Sequence, residues 1–125
     1  MAPRTILMVE DDADLRRMFR TVLNLQGLRV LEAADGLTAL RILETEPPPA
    51  LVILDLGLPV VSGRMVRDEL LAHAHLREIP VVVVTGLPGD HTELQAQCVL
   101  HKPVDPEHLV RTVRSCLISG AWSAT

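Results

Sequence analysis

Glu10, Asp11 and Asp12 stand together in the sequence, and Asp55, Thr85 and Lys102 each stand directly after a short, largely apolar run. Carboxylates brought to one place repel each other unless a cation lies among them. Hard oxygen donors with positions left for water suit Mg²⁺, which accepts one or two carboxylates together with phosphate oxygens. A carboxylate such as Asp55 is also a nucleophile able to form an acyl-phosphate. A nearby Lys102 ammonium would neutralise charge on the equatorial oxygens during phosphoryl transfer, and the Thr85 hydroxyl would donate to the bound phosphoryl group. Lys102 is the only lysine in the chain; every other basic residue apart from histidine is an arginine. A compact ammonium fits a phosphoryl oxygen where a broad guanidinium does not.

Each member also has a plainer reading. An acidic run before a helix serves as an N-cap and compensates the helix dipole, aspartate starts turns, and threonine is common at strand ends. Joint placement separates the readings. The apolar runs Ile6–Val9, Leu51–Leu54, Pro80–Val84 and Val99–His101 predict strands, and each ends at one of these chemical groups. Leu51–Leu54 is apolar at every position, as a central strand of a parallel sheet is, and Val81–Val84 is strongly β-branched.

Amphipathic stretches alternate with these runs. Leu15, Met18, Phe19 and Val22 recur at helical spacing, and Gly27 closes that helix before a strand over Leu28–Ala33. Asp35-Gly36 leads into a helix carrying Ala39, Leu40 and Leu43, which Pro47-Pro48-Pro49 terminates. A loop with Gly57, Pro59 and Gly63 precedes a helix with Val66 and Leu70. The segment Gly86–Gln97, interrupted by Pro88 and Gly89, leaves room for only a short helix. Asp105-Pro106 opens a last helix with Leu109, Val113, Cys116 and Leu117 on one side, and Gly120–Thr125 is expected to be a short polar, frayed tail. Five strands alternating with helices predict an α/β fold with a single doubly wound parallel sheet. Ligands in such sheets bind outside the carboxyl ends of the strands, where the chemical groups gather.

Bulk properties set the remaining bounds. A chain of 125 residues, 48% hydrophobic and 22% charged, makes one globular domain, expected over residues 1–119 with the tail at 120–125. A net charge of −4 with no basic stripe argues against a nucleic-acid surface. No apolar run is long enough for a bilayer span or a secretory signal, so no membrane contact and a cytoplasmic location are expected. Cys98 and Cys116 fit no CxxC or zinc spacing and are read as buried small hydrophobes. The five histidines are scattered, and His73 and His75, two apart, fall on different helix faces; all are read as solvated surface.

Taken together, Ile6-Leu-Met-Val-Glu-Asp-Asp12, Leu51-Val-Ile-Leu-Asp-Leu-Gly-Leu-Pro59 with Gly63, Val81–Thr85-Gly86 and Lys102-Pro103 resemble the receiver domain of two-component response regulators, up to about Leu117. The resemblance implies the flavodoxin-like strand order 2-1-3-4-5. It implies that Asp55 accepts a phosphoryl group from a sensor histidine kinase or histidine phosphotransfer protein. Asp11, Asp55 and the Gly57 carbonyl would bind Mg²⁺ directly, Glu10 would act mainly through water, and Thr85 and Lys102 would contact the phosphoryl group. A cis peptide at Lys102–Pro103 is also implied.

Two departures stand out. The Thr85-to-Lys102 interval is shorter than is usual for the family by more than one helical turn, which predicts a stunted fourth helix. Val99 and Val104 occupy positions where the family commonly carries aromatics, including the switch residue. The expected function is a phospho-switch acting by contact with a downstream protein, without an attached effector and with homodimerisation open. The alternative is a pseudo-receiver that binds partners without being phosphorylated. A phosphatase of the haloacid-dehalogenase type would need an Asp-x-Asp pair where this chain has Asp55 and Gly57, so turnover of small molecules is not expected.

Overall fold

Strands covered on both faces are apolar at successive positions; one strand here follows that rule throughout and two more depart from it only at a terminal threonine. The computed structural model describes residues 3–123. Its strands are β1 (Thr5–Val9), β2 (Arg29–Ala33), β3 (Leu51–Leu54), β4 (Val81–Thr85) and β5 (Cys98–His101). They form one parallel sheet in the order β2-β1-β3-β4-β5. Four helices alternate with them: α1 (Ala13–Leu25), α2 (Gly36–Thr45), α3 (Gly63–Ala72) and α4 (Pro106–Ser123).

Alternate side chains of each strand enter opposite cores. Ile6, Met8, Leu51, Ile53, Val82 and Val84 pack with Phe19 and Leu23 of α1 and with Leu109 and Val113 of α4. Leu7, Val9, Val52, Leu54, Val81 and Val83 pack with α2 and α3 on the other face. The expected doubly wound architecture is therefore observed. Side-chain caps fix the helix starts: Asp12 accepts from Asp14 N and Leu15 N, Asp35 from Thr38 N, and Ser62 from Met65 N. Gly27, at φ +80°, supplies the left-handed residue that turns the chain from α1 into β2.

Between β4 and β5 the shortened helix is reduced to a single 3₁₀ turn, Thr92–Leu94. The local backbone explains it. Gly89 (φ +108°), His91 (φ +51°) and Gln95 (φ +54°) are all left-handed, and no α-helix can contain them. Leu94 is the turn's buried contribution to the core on the α3 side.

Several expectations are corrected. Met18 is exposed; the inward stripe of α1 is Leu15, Phe19, Val22 and Leu23. His91 is buried, not solvated, whereas His73, His75, His101 and His108 are exposed. Cys116 is buried but Cys98, on the edge strand β5, is only partly so, and both are free thiols. The backbone of α4 stays helical through Ser123, taking in Gly120–Ser123 of the expected frayed tail. Ala124 and Thr125 lie outside the described residues. Among the described residues no helix is long and apolar enough to cross a membrane.

Candidate functional site

The sheet ladder continues one residue past each relevant strand and so fixes the first residue of each loop. Glu10 N donates to Ala33 O at 3.0 Å, Asp55 N to Val9 O at 3.0 Å, and Lys102 N to Thr85 O at 2.8 Å. These bonds align Glu10, Asp55, Thr85 and Lys102 along the carboxyl edge of β1, β3, β4 and β5. The Lys102–Pro103 peptide is cis, as expected.

The Lys102 ammonium is the hub. Its Nζ lies 2.7 Å from Glu10 Oε1 and 3.2 Å from Asp55 Oδ2. Both carboxylates are buried, Glu10 to 2% exposure and Asp55 to 5%. The second oxygen of each is held by the backbone: Asp12 N donates to Glu10 Oε2 at 3.1 Å, and Gly57 N donates to Asp55 Oδ1 at 3.1 Å. Asp11 stays exposed beside them, and Glu10, Asp11 and Asp55 each bring one oxygen to within 4.8 Å of the others. This is a hard-oxygen set of the kind that holds a divalent cation with water completing the shell.

Burial dominates the electrostatics of Glu10. It pushes the carboxyl up to about 7, with the Asp55 charge adding to the shift and the bonds from Lys102 and Asp12 N opposing it. Burial works to lower Lys102, but the two carboxylates outweigh it and raise the ammonium above its ordinary value. Lys102 therefore stays charged and serves both acids.

The acidic run divides its labour. Glu10 and Asp11 face the site, while Asp12 caps α1 at 2.9 and 3.1 Å from Asp14 N and Leu15 N, so both readings of that run are realised by different residues. Arg16 of α1 then clamps the loop, its Nη1 donating to Glu10 O at 2.9 Å and Asp11 O at 3.0 Å. Thr85 is fully buried at the end of β4, and its Oγ1 accepts from Leu87 N at 3.0 Å, which leaves the hydroxyl proton available to donate. Gly57 contributes its N–H to Asp55, and a Cβ there would meet only Asp55 Oδ1, at 3.9 Å.

Sequence reasoning missed three basic residues around this edge. Besides Arg16, Arg67 of α3 is buried and donates from Nε to Leu94 O at 2.7 Å and from Nη2 to Gln95 O at 2.9 Å, tying down the 3₁₀ turn. Arg64 pairs with Glu93 and with His91 Nδ1. Arg67 had a legible signal: Gly63, Val66, Arg67 and Leu70 form an i, i+3, i+4, i+7 stripe, and all four are buried.

Comparison with known proteins agrees with this geometry. The sequence profile of the response regulator receiver domain matches residues 6–114. The chain is 35% identical over 122 residues to the probable transcriptional regulator ycf27 of Porphyridium aerugineum, covering 94% of this chain and 49% of that protein. It thus spans about half of that relative. It is 31% identical over 120 residues to the polar-differentiation response regulator DivK of Brucella anthropi, covering 92% of this chain and 97% of that one. Among solved structures, the receiver domain of sensor histidine kinase PA1611 from Pseudomonas aeruginosa superimposes with a TM-score of 0.83 at 28% identity, over 93% of this chain and 98% of that one. That structure has a magnesium ion coordinated in its active-site cleft.

Proposed function

The chain belongs to the response regulator receiver domain family of two-component signalling, and from that premise we propose that it is a working phospho-acceptor, with Asp55 as the accepting group. The carrying observation is the convergence of Lys102 on both buried carboxylates, with Asp11 alongside. A domain that only bound partners would have no need of a lysine held between two acids at a strand edge.

In this reading an Asp55 carboxylate oxygen bonds to phosphorus as the P–N bond to a donor imidazole breaks. The donor is a phosphohistidine on a sensor kinase or phosphotransfer protein. Glu10, Asp11 and Asp55 would hold Mg²⁺, joined by the Gly57 carbonyl, and a bound Mg²⁺ would supply charge neutralisation on the phosphoryl oxygens. Lys102 shifts its ammonium from Asp55 towards the transferred oxygens, and Thr85 donates its hydroxyl proton to one of them. The protein is a stoichiometric acceptor, not a turnover enzyme, working in the cytoplasm through contact with a downstream protein.

Intact mass after incubation with acetyl phosphate and Mg²⁺ tests this. One phosphoryl group should be added to the wild type, and none to Asp55→Asn or in the absence of Mg²⁺. A folded wild type that gains no phosphoryl group from acetyl phosphate or from a histidine phosphodonor would establish the pseudo-receiver instead.

A further inference from the structure

Hydrogen bonds joined through the Leu87 backbone lead from Thr85 to α3. An arginine nitrogen can only donate, so Arg64 Nη2, 3.1 Å from His91 Nδ1, makes that ring nitrogen an acceptor. The imidazole proton then sits on Nε2, which lies 3.3 Å from Leu87 O and donates to it. Leu87 N in turn donates to Thr85 Oγ1 at 3.0 Å. Every donor in the line points from α3 towards Thr85. Glu93 closes the far end: it pairs with Arg64, and its Oε1 lies 3.9 Å from His91 Nδ1.

The line crosses a strained segment that is also tied by His101 Nε2, 2.7 Å from Gly89 O. His91 and Gln95 bracket the 3₁₀ turn in left-handed conformations, each costing roughly 1 kcal/mol or more for a residue other than glycine. His91 is nonetheless 7% exposed, so its ring is anchored by packing and by these bonds. Elsewhere the turn is secured by Arg67 on Leu94 O and Gln95 O. Val99, at the position where the family commonly carries an aromatic switch residue, packs against the core and has no polar group to carry a signal.

We propose that the Arg64–His91–Glu93 clasp reads the state of the Thr85 hydroxyl through Leu87, so that phosphorylation is reported on the α3 face of the 3₁₀ turn. The proposal rests on Asp55 being the acceptor for its signal, but the coupling itself belongs to the unphosphorylated protein as well. When the Thr85 side chain rotates to bring its hydroxyl onto a phosphoryl oxygen, Oγ1 moves away from Leu87 N, which loses its acceptor. The Leu87 carbonyl then moves from His91, and the clasp loosens.

Thr85→Val and Thr85→Ser separate coupling from packing. In the unphosphorylated protein, Thr85→Val should change the ¹⁵N shifts of the His91 ring. It should also speed exchange of the Leu94 and Gln95 amides, which close the 3₁₀ turn on His91 O and Thr92 O. The expected acceleration is about five- to tenfold, the change in opening equilibrium for one lost hydrogen bond. Thr85→Ser should behave as wild type. The Gln97 amide, bonded to Val81 O, should be unaffected in both. Acetyl phosphate with Mg²⁺ should reproduce the Thr85→Val pattern in wild type once mass confirms the added group. If Thr85→Val leaves the ring shifts and both amides unchanged, or if Thr85→Ser matches it, the coupling is refuted whether or not Asp55 accepts phosphate. A phosphorylated wild type with an unaltered turn refutes its use in signalling. A wild type that takes up no phosphoryl group counts against the acceptor reading, and the valine result still decides the coupling.

Discussion

Gly63→Ala is expected to be damaging although helix propensity favours it. Gly63 is the first residue of α3, and in helix interiors alanine is better than glycine by about 0.8–1 kcal/mol. Packing reverses the sign. A Cβ built on Gly63 would lie 2.2 Å from the Asp55 carbonyl oxygen, 2.7 Å from Leu56 Cα and 3.0 Å from the Asp55 carbonyl carbon. All three are backbone atoms, so no rotamer change can relieve the clash. Moving the nearest contact out to 3.0 Å, below which real Cβ atoms are essentially never found, requires a displacement of about 0.8 Å between α3 and the end of β3. That displacement stretches the bond from Gly63 N to Leu56 O, already 3.3 Å long.

Overpacking of this kind costs about 2–3 kcal/mol, the upper part of the usual range because the neighbours are rigid. For a domain of this size the melting temperature should fall by roughly 6–15 °C. Because the displaced backbone is that of Asp55, the rate of phosphoryl transfer from acetyl phosphate should drop about 10- to 100-fold, as expected for a misplacement near 1 Å. The matched control is Gly86→Ala beside Thr85, where a Cβ would meet nothing within 4 Å and φ is not left-handed. It should melt and react as wild type. If Gly63→Ala melts at or above the wild-type temperature with an unchanged transfer rate, or if Gly86→Ala is equally harmful, the packing argument fails.

Lys102→Met should leave Glu10 and Asp55 buried without their cation, destabilising the metal-free protein by about 2–3 kcal/mol, less than a fully buried pair because Glu10 can take up a proton. Glu10 titrates above its ordinary range in the fold, so its favourable contribution is complete below the unfolded value and disappears as pH rises through about 7; the deficit of the variant should widen above that pH. Melting in chelator and in Mg²⁺ checks both points, and an equal Mg²⁺-induced rise in the two proteins would count against a shared site. Val60→Asn should be stabilising: Val60 is β-branched, 94% exposed and held at φ +62°, so asparagine relieves strain without losing a contact. A gain of about 0.5–1 kcal/mol in chemical denaturation is expected, and a loss would show that the loop depends on the valine side chain.

The site was legible because of how parallel sheets are built. Strands buried on both faces read as apolar runs, and their carboxyl ends all point to one edge, so Asp55, Thr85 and Lys102 could be grouped from position alone. Which acid does what was not legible. Glu10, Asp11 and Asp12 are adjacent, and only the exit angle of β1 sends Glu10 inward to Lys102 and Asp12 onto the first turn of α1. His91 was misread for a related reason. Its neighbours Gly89, Asp90 and Thr92 are polar or small and suggest a solvated loop, yet the shortness of the crossover draws this one ring beneath α3. Met18 satisfied the helical period, but the apolar stripe of α1 needed only one side of that arc, and Leu23 took the place.

The missing helix and the unexpected arginines are one fact seen twice. A crossover between parallel strands usually brings its own helix to cover the sheet. Here a single turn does so with Leu94 alone, and the backbone carbonyls that a helix would have satisfied internally are left facing α3. Arg67 satisfies two of them from a position on the buried stripe where an aliphatic residue would ordinarily sit, which is why its remaining Nη1 is buried without a partner. The arrangement places three functions on one short helix. At its start Gly63 lies against the Asp55 backbone, in the same turn Arg64 holds His91, and Arg67 follows on the 3₁₀ turn. Any shift of α3 relative to β3 therefore moves the acceptor loop and the far end of the Thr85 line together. In a sheet that has lost the usual helix beside β5, α3 is the element positioned to carry a change at Asp55 to the surface.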